Sequence, residues 1–312
     1  MSRHLRYIPE PGTLVEVTCR IIHGRMLLKP CRELNEAIIG TLARAKRRYA
    51  VDVCAAVYLS NHCHLLLCVN DARQLARFMN YVNSKIAREV GRRTRWREKL
   101  WGRRYSAIVV SAEPAAQIAR LRYLLSHGVK EHLVARCTDW PGVHAADSLL
   151  TSRALDGFWF DRTAEYRDRL QGKRCGTYAH AEPEPLRFDP LPCWAHLSAS
   201  RYRASVRELI AAIEAEAANE RSRRGIAPLG AEAIGRQKPQ RRPETVKRSS
   251  APAVHAATPT TYSVLVCAYR WFEVAYREAS AKLRGGDRTA RFPEGCFPPS
   301  LPFVGPLLMP AS

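Results

Sequence analysis

Apolar and polar positions in the first 110 residues follow two periods, one typical of strands and one typical of helices. Strand-like runs cover residues 13–22, 51–59, 62–69 and 103–110. Between them, apolar residues recur at helical spacing over about 32–49 and 72–90, which predicts two amphipathic helices. Asp71 is a suitable N-cap for the second of these helices.

The resulting order of elements, β-α-β-β-α-β, is the split βαβ pattern of ferredoxin-like folds. We therefore predict an α+β fold in which an antiparallel sheet carries its helices on one face. The other face of such a sheet can stay open for a ligand. Residues 62–69 follow 51–59 after a short turn, so these two strands should form a hairpin.

A third helix is predicted to begin near Ser111 and to end near Gly128. Ser111 is a suitable N-cap, and a glycine commonly follows the last turn of a helix. Arg120, Tyr123 and His127 fall at positions i, i+3 and i+7 and therefore share one helical face.

Beyond about residue 150 the pattern is less regular and predicts a mostly helical, partly disordered extension. Residues 156–171 suit a helical appendage, and residues 202–224 form a strongly amphipathic helix. Residues 225–260 are rich in Pro, Arg, Lys, Ala and Ser, which is typical of a flexible basic linker. The predicted division is a domain at 1–150, a helical extension at 151–224, the linker at 225–260, and a C-terminal helix with a Pro-rich tail at 261–312.

The charge of the chain points to a polyanionic partner. Its 312 residues include 50 Lys+Arg against 29 Asp+Glu, a formal net charge of +21. Lysine and arginine that neutralise phosphates release counterions, which favours nucleic-acid binding. Ribosome association or a basic disordered tail would account for the same surplus.

The ten cysteines are scattered without a Cys-x-x-Cys pair, which argues against a zinc ribbon. The chain has no apolar leader at its start and no apolar run of membrane-spanning length. We therefore expect a cytoplasmic protein without a membrane partner.

The stretch "YLSNHCHLLLCV", residues 58–69, places His62 and His64 at the mouth of an apolar strand. Residues i and i+2 of a strand point to the same face, so the two imidazoles should project side by side. Two neutral imidazoles on a rigid strand are suitable ligands for a divalent metal. The alternative is that both are partly exposed polar residues that close a hairpin.

A third ligand and a reacting group could come from the predicted helix that begins near Ser111. If its polar face packs beside the hairpin, His62, His64 and His127 could hold a divalent cation. Tyr123 would then lie one turn away, and a tyrosine oxygen is a recognised covalent nucleophile. A metal assists such an attack by polarising a phosphoryl oxygen.

Other polar residues near these motifs have simpler interpretations. Tyr81 lies near the apolar stripe of its helix and Tyr105 opens a strand, so structural roles suit both tyrosines. Asn61 most simply shapes the turn, with contact to a metal ligand as the alternative. His144 is interpreted as an ordinary loop residue.

The stretch between the second helix and the fourth strand combines positive charge with indole rings. The candidate DNA-contacting residues are Arg92, Arg93, Arg95, Trp96, Arg97, Arg103 and Arg104. Such a stretch can contact phosphates and stack on unpaired bases. It could also be only a solvated face.

At this point the sequence resembles a known family. "YLSNHCHLLL" is similar to the HUH signature (His, a usually hydrophobic residue, His) of single-tyrosine transposases of the insertion-sequence-200-like group. The resemblance includes residues 11–20, 100–110 and 122–145, and it spans about 5–147 in consistent order. The Trp-Pro segment within 122–145 is typical of the REP-associated tyrosine transposases, which the chain resembles most.

The resemblance implies a catalytic domain over residues 1–150 that depends on Mg²⁺ or Mn²⁺. It implies cleavage and joining of single-stranded DNA at hairpin-forming sites through a phosphotyrosine, and hence a location at the nucleoid. His62 and His64 match the HUH metal ligands, and Tyr123 matches the nucleophile. His127 matches a third metal position, where the family more often carries Asn or Gln. The active unit could be a monomer or a homodimer.

Two other functions fit the same residues. A descendant of this family could retain the fold and charge and bind single-stranded or structured nucleic acid without cutting it. A zinc hydrolase would use a metal-bound water as its nucleophile and would be indifferent to Tyr123→Phe.

Overall fold

The four predicted strands form one antiparallel sheet in the computed structural model, which describes residues 5–243, 252–296 and 298–299. The strands are β1 (Thr13–Arg20), β2 (Asp52–Tyr58), β3 (His62–Val69) and β4 (Ser106–Val110). Their order across the sheet is β2-β3-β1-β4, with each neighbouring pair antiparallel. This is the order of a ferredoxin-like sheet, and the predicted fold class is confirmed.

One face of the sheet is covered by α1 (Arg32–Tyr49) and α2 (Ala72–Thr94), as predicted. Alternate side chains of β1 and β3, including Val17 and Leu65, pack here against Phe78 and its neighbours. The backbone N–H of Gln74 donates to the Asp71 carboxylate at 2.7 Å, so Asp71 is the N-cap of α2.

The rest of the described chain adds six helices and three short strands. These are α3 (Pro114–Leu125), α4 (Ala146–Thr151), β5 (Phe158–Phe160), α5 (Arg162–Leu170), β6 (Ala181–Pro183), α6 (Ala199–Arg224), α7 (Ala231–Gly235), β7 (Val254–His255) and α8 (Pro259–Arg284). Within the described ranges, no helix is long and apolar enough to cross a membrane.

The second face of the sheet is also covered, by α3 and α6, so it is not the open ligand surface that the sequence suggested. Leu14 and Leu66 point to this side and pack in one core with Leu121 of α3 and Ile210 of α6. The apolar stripe of α6 needs a partner surface, and this sheet face is itself apolar.

The third helix begins two residues later than predicted. Glu113, not Ser111, is the N-cap residue of α3, and Pro114 takes the first helical position. The Ser111 hydroxyl instead donates to the Glu113 carboxylate at 2.8 Å. The same carboxylate accepts from the backbone N–H of Ala257 and the hydroxyl of Thr258, next to the start of α8.

Two predictions for the C-terminal half are corrected. The first residues of the expected appendage form β5, which pairs with β6, and helix α5 begins only at Arg162. In the expected flexible linker at 225–260, Ile234 of α7 is fully buried, and β7 pairs in parallel with β4 as a fifth strand of the main sheet. Residues 244–251 of this linker lie outside the described residues.

Candidate metal and tyrosine site

The first two candidate ligands lie at the beginning of β3, on the sheet face that α3 covers. His62 is opposite Arg20 and His64 is opposite Thr18 in the pairing of β3 with β1. Cys63, between them, points to the other side and is buried in the core under α1 and α2. The period of the strand therefore directs both imidazoles toward α3.

The third candidate ligand, His127, follows α3 directly and completes a cluster with His62 and His64. Each of the three histidines offers a ring nitrogen, and these nitrogens all lie within 4.8 Å of one another. The ring centroids are 4.2 Å apart for His64 and His127 and 5.2 Å apart for His62 and His64.

His64 is oriented by a buried carboxylate. Its Nδ1 is 2.9 Å from Oε1 of Glu16, which is only 1% exposed, and 3.1 Å from the Thr18 hydroxyl. The second carboxylate oxygen of Glu16 accepts from the Arg120 guanidinium. Because a carboxylate only accepts hydrogen bonds, we infer that Nδ1 of His64 carries the proton and that Nε2 keeps a free lone pair.

The same arrangement recurs at the other two histidines. Nδ1 of His62 is 2.6 Å from the Asn61 side-chain oxygen, and Nδ1 of His127 is 3.1 Å from the Leu124 carbonyl oxygen. Oxygen partners on all three Nδ1 atoms leave Nε2 as the ligand atom of each ring. Such partners fix the tautomer and orientation of metal-binding histidines in general.

Burial keeps these imidazoles neutral. Burial lowers the pKa of His62 and of His64 to about 3, with smaller contributions from nearby cations, among them Arg20 and Lys130. Burial lowers the pKa of His127 even further below its ordinary value. A neutral imidazole is the form that binds metal, so the donor set fits a divalent cation.

These shifts predict that the metal-free protein loses stability in mild acid. Histidine in the unfolded chain has a pKa of about 6.5, so below this pH the unfolded chain binds protons. His62 and His64 in the folded protein stay unprotonated at the same pH. The free energy of unfolding should therefore fall as the pH drops from about 6.5 toward 3, by up to about 1.4 kcal/mol per pH unit and histidine. Urea unfolding in chelator at pH 7 and pH 5 measures this, and His62→Gln/His64→Gln should weaken the dependence. If the free energy of unfolding of that variant depended on pH as strongly as in the wild type, the effect could not come from His62 and His64.

Tyr123 lies beside the histidine cluster. Its ring centroid is 4.8 Å from that of His127 and 5.6 Å from that of His64. The side chain is 39% exposed, so an incoming strand can reach the phenol. The structure thus brings together the four residues to which the sequence assigned metal binding and nucleophilic attack.

Two cations flank the Tyr123 ring. The Arg120 guanidinium carbon is 4.5 Å and the Lys130 Nζ is 3.8 Å from the ring centroid. Lys130 Nζ is also 3.4 Å from Nε2 of His127. A phosphate that approaches Tyr123 therefore meets two positive charges next to the ring.

The competing tyrosines lie in the other core. Tyr81 and Tyr105 both pack against the cluster of residues under α1 and α2, whereas the histidines face α3. Tyr81 contacts the Tyr49 ring edge-on at 5.9 Å, and Arg6 lies 4.0 Å above the Tyr105 ring. Their surroundings agree with the structural roles expected for them.

His144 is not the ordinary loop residue that the sequence suggested. It is buried, it forms a bridge with Val57 of β2, and its Nδ1 accepts from the backbone N–H of Ala146 at 3.1 Å. Burial lowers its pKa to about 4, so it is a neutral packing residue.

The predicted DNA-contacting residues divide into two groups. Arg92 pairs with Glu165 of α5, and Arg93 pairs with Glu89 of α2, so both guanidinium groups are held in ion pairs within the chain. Trp96 is half-buried against the core, with Arg25 5.0 Å from its ring. The exposed members of the set without an ion pair named above are Arg95, Arg97, Arg103 and Arg104, whereas Arg92 is exposed but paired with Glu165.

The exposed part of this basic stretch lies near the histidine end of the sheet. The backbone N–H of Ile22 donates to Leu100 at 2.8 Å, and that of Gly102 donates to Arg20 at 3.0 Å. Arg20 is the residue opposite His62, so the stretch borders the candidate site. DNA contact by these residues remains a prediction.

Sequence reasoning did not single out Glu16 or Lys130. The signal for Glu16 was an acidic residue at an inward position of an otherwise apolar strand, where burial requires a partner. Lys130 lies beyond the end of α3, and the turn at Gly128, with φ of 88°, brings it back to Tyr123.

Part of the chain is similar to known transposases. Residues 27–124 match the family model described as "Transposase IS200 like". A solved REP-associated tyrosine transposase bound to a REP hairpin is similar at 16% identity, over 48% of this chain and 86% of that chain, with a TM-score of 0.41. A crystal structure of a candidate transposase from Deinococcus radiodurans is similar at 17% identity, over 39% of this chain and 95% of that chain, with a TM-score of 0.28. The comparison with curated proteins gave no match.

The matched segment runs from before α1 to the last turn of α3 and includes His62, His64 and Tyr123. The match over residues 27–124 confirms the resemblance to IS200-like transposases found in the sequence.

Proposed function

We propose that this chain is a metal-dependent tyrosine transposase that cleaves and rejoins single-stranded DNA at hairpin-forming sites. Its nucleophile is Tyr123, and its metal ligands are Nε2 of His62, His64 and His127. The observation that carries the proposal is the convergence of the exposed Tyr123 with three neutral imidazoles, of which His64 and His127 are buried and His62 is half-buried. The hairpin-forming substrate follows from the family resemblance.

The reaction exchanges one phosphate ester for another. The Tyr123 oxygen attacks the scissile phosphorus, its phenolic proton is lost, and the bond to a sugar oxygen breaks with protonation of the leaving hydroxyl. A bound Mg²⁺ or Mn²⁺ would polarise a phosphoryl oxygen. Attack of a sugar hydroxyl on the phosphotyrosine reverses the exchange, so strands can be rejoined without another energy source.

The chain's own cations support this chemistry. Arg120 and Lys130 flank the Tyr123 ring and place positive charge where negative charge develops during attack. Arg120 is itself held by the buried Glu16, which also orients His64. The Glu16 carboxylate therefore connects a proposed metal ligand, His64, with Arg120, a cation next to the proposed nucleophile.

The donor set predicts which metal supports cleavage best. Three imidazoles bind Mn²⁺ better than Mg²⁺, which prefers oxygen ligands. A hairpin-bearing oligonucleotide incubated with the protein should give a denaturation-resistant adduct, faster in Mn²⁺ than in Mg²⁺ and absent in chelator. The His127→Asn variant has the family's more common residue type at this position. In this variant the rates of adduct formation in Mn²⁺ and in Mg²⁺ should be closer to each other.

Two results would contradict the proposal. An adduct that forms equally well in chelator would exclude the metal site. Tight, salt-sensitive binding without an adduct across many hairpin substrates would instead identify a non-catalytic nucleic-acid-binding protein.

A further inference from the structure

A second cluster of ligand-type side chains lies on the connection between α5 and β6, apart from the histidine site. Oδ2 of Asp168 is 3.0 Å from Nε2 of His180 and 3.5 Å from Sγ of Cys175. The three ligand atoms all lie within 4.8 Å of one another. The other carboxylate oxygen of Asp168 is 3.3 Å from Lys173 Nζ.

The two distances from Oδ2 of Asp168 are close to the corresponding ligand–ligand distances of a tetrahedral zinc centre. Zinc bonds of about 2.0 Å to oxygen and nitrogen and about 2.3 Å to sulfur give edges of about 3.3 Å between O and N and about 3.5 Å between O and S. The cluster shows 3.0 Å and 3.5 Å for the same pairs. Small side-chain shifts would therefore place one ion among all three residues.

We propose that Asp168, Cys175 and His180 bind a Zn²⁺ ion that orders the surrounding segment, with solvent at the fourth position. Thiolate and imidazole ligands select zinc over Mg²⁺ and Mn²⁺, so this site is chemically distinct from the one beside Tyr123. Binding converts the Cys175 thiol to a thiolate and releases its proton to solvent.

The surrounding segment has little else to order it. Within Arg162–Leu170, all of which the structure describes, no residue is buried, and residues 171–179 are exposed. The Asp168 carboxylate lies near the end of α5, and His180 immediately precedes β6, where its carbonyl accepts from the Asp161 N–H at 2.8 Å. An ion held by both residues and Cys175 would fasten the exposed loop to a fixed strand, as metals do in segments without a core.

Cobalt substitution tests the ligand set directly. Full-length, freshly reduced protein titrated with Co²⁺ should show thiolate-to-cobalt charge-transfer absorption that saturates at one thiolate site per chain. The absorption should persist in His62→Ala/His64→Ala and in the control Cys267→Ser, which changes an exposed cysteine on α8. It should disappear in Cys175→Ser. No such absorption in the wild type, or its persistence in Cys175→Ser, would overturn the proposal.

Limited trypsin digestion gives a readout that is independent of any DNA chemistry. Lys173 and Arg174 lie in the exposed loop, so cleavage after them reports its opening. With Zn²⁺ at ten times its dissociation constant, the open population and the cleavage rate should fall about tenfold. Asp168→Asn and Cys175→Ser should each abolish this protection. Equal trypsin cleavage of the wild type with and without Zn²⁺ would contradict the zinc site. Protection or lack of protection by Zn²⁺ is independent of the function of Tyr123.

Discussion

Replacement of Tyr123 with phenylalanine is expected to abolish the covalent protein–DNA adduct, with a loss of at least about a thousandfold in the rate of its formation. The substitution removes only the attacking oxygen, while the ring retains its contacts with His64, His127 and Lys130. Folding and DNA binding should therefore be unchanged. Gel analysis of the adduct under denaturing conditions, together with binding measured without metal, separates chemistry from affinity.

Tyr81→Phe is the matched control for this prediction. Tyr81 lies on α2 and faces the opposite core, so its hydroxyl is remote from the histidine cluster. The control should form the adduct at the wild-type rate. If Tyr123→Phe retained the adduct, or if Tyr81→Phe lost it, the assignment of the nucleophile would be wrong.

Glu16→Gln is expected to weaken both the metal site and the fold. The carboxylate is buried and hydrogen-bonded to His64 on one side and paired with Arg120 on the other. Loss of its charge leaves the Arg120 guanidinium without its counter-ion in a largely buried position, which should cost about 3 kcal/mol in the free energy of unfolding. Loss of a carboxylate partner of a metal-binding histidine should lower metal affinity by about 10–100-fold.

Urea unfolding in chelator and Mn²⁺ titration of the folded protein measure these two effects separately. Glu10→Gln, at an exposed position before β1, is the control and should change neither quantity. Wild-type metal affinity in Glu16→Gln would show that Glu16 does not orient His64 as a ligand.

The fold could be predicted from the sequence where its signals are local. The strands β1 to β4 and the helices α1 and α2 each carry a clear apolar period, and caps such as Asp71 mark where a helix begins. The packing of α3 and α6 on the second sheet face has no local signal, because it joins residues far apart in the sequence, such as Leu66 and Ile210, in one core. The same holds for β7, two residues within a stretch of linker-like composition.

The candidate site also combines features that have a local sequence signal with features that depend on residues far apart in the sequence. The His-x-His pair and the Tyr123–His127 spacing are local patterns, and each predicts a shared face. The ion pair of Arg92 is not local in this sense, because Arg92 pairs with Glu165, 73 residues further along the chain. Arg93, in contrast, pairs with Glu89 one helical turn before it. Net charge alone therefore could not show which arginines remain exposed for phosphate.

The attachment point of the DNA tests the central claim most directly. Trypsin cleavage after Arg122 and Lys130 releases the peptide YLLSHGVK, in which Tyr123 is the sole tyrosine. Mass spectrometry of the digested, nuclease-trimmed adduct should find the nucleotide on this peptide. A nucleotide found on any other peptide would contradict the claim that Tyr123, beside His62, His64 and His127, is the nucleophile.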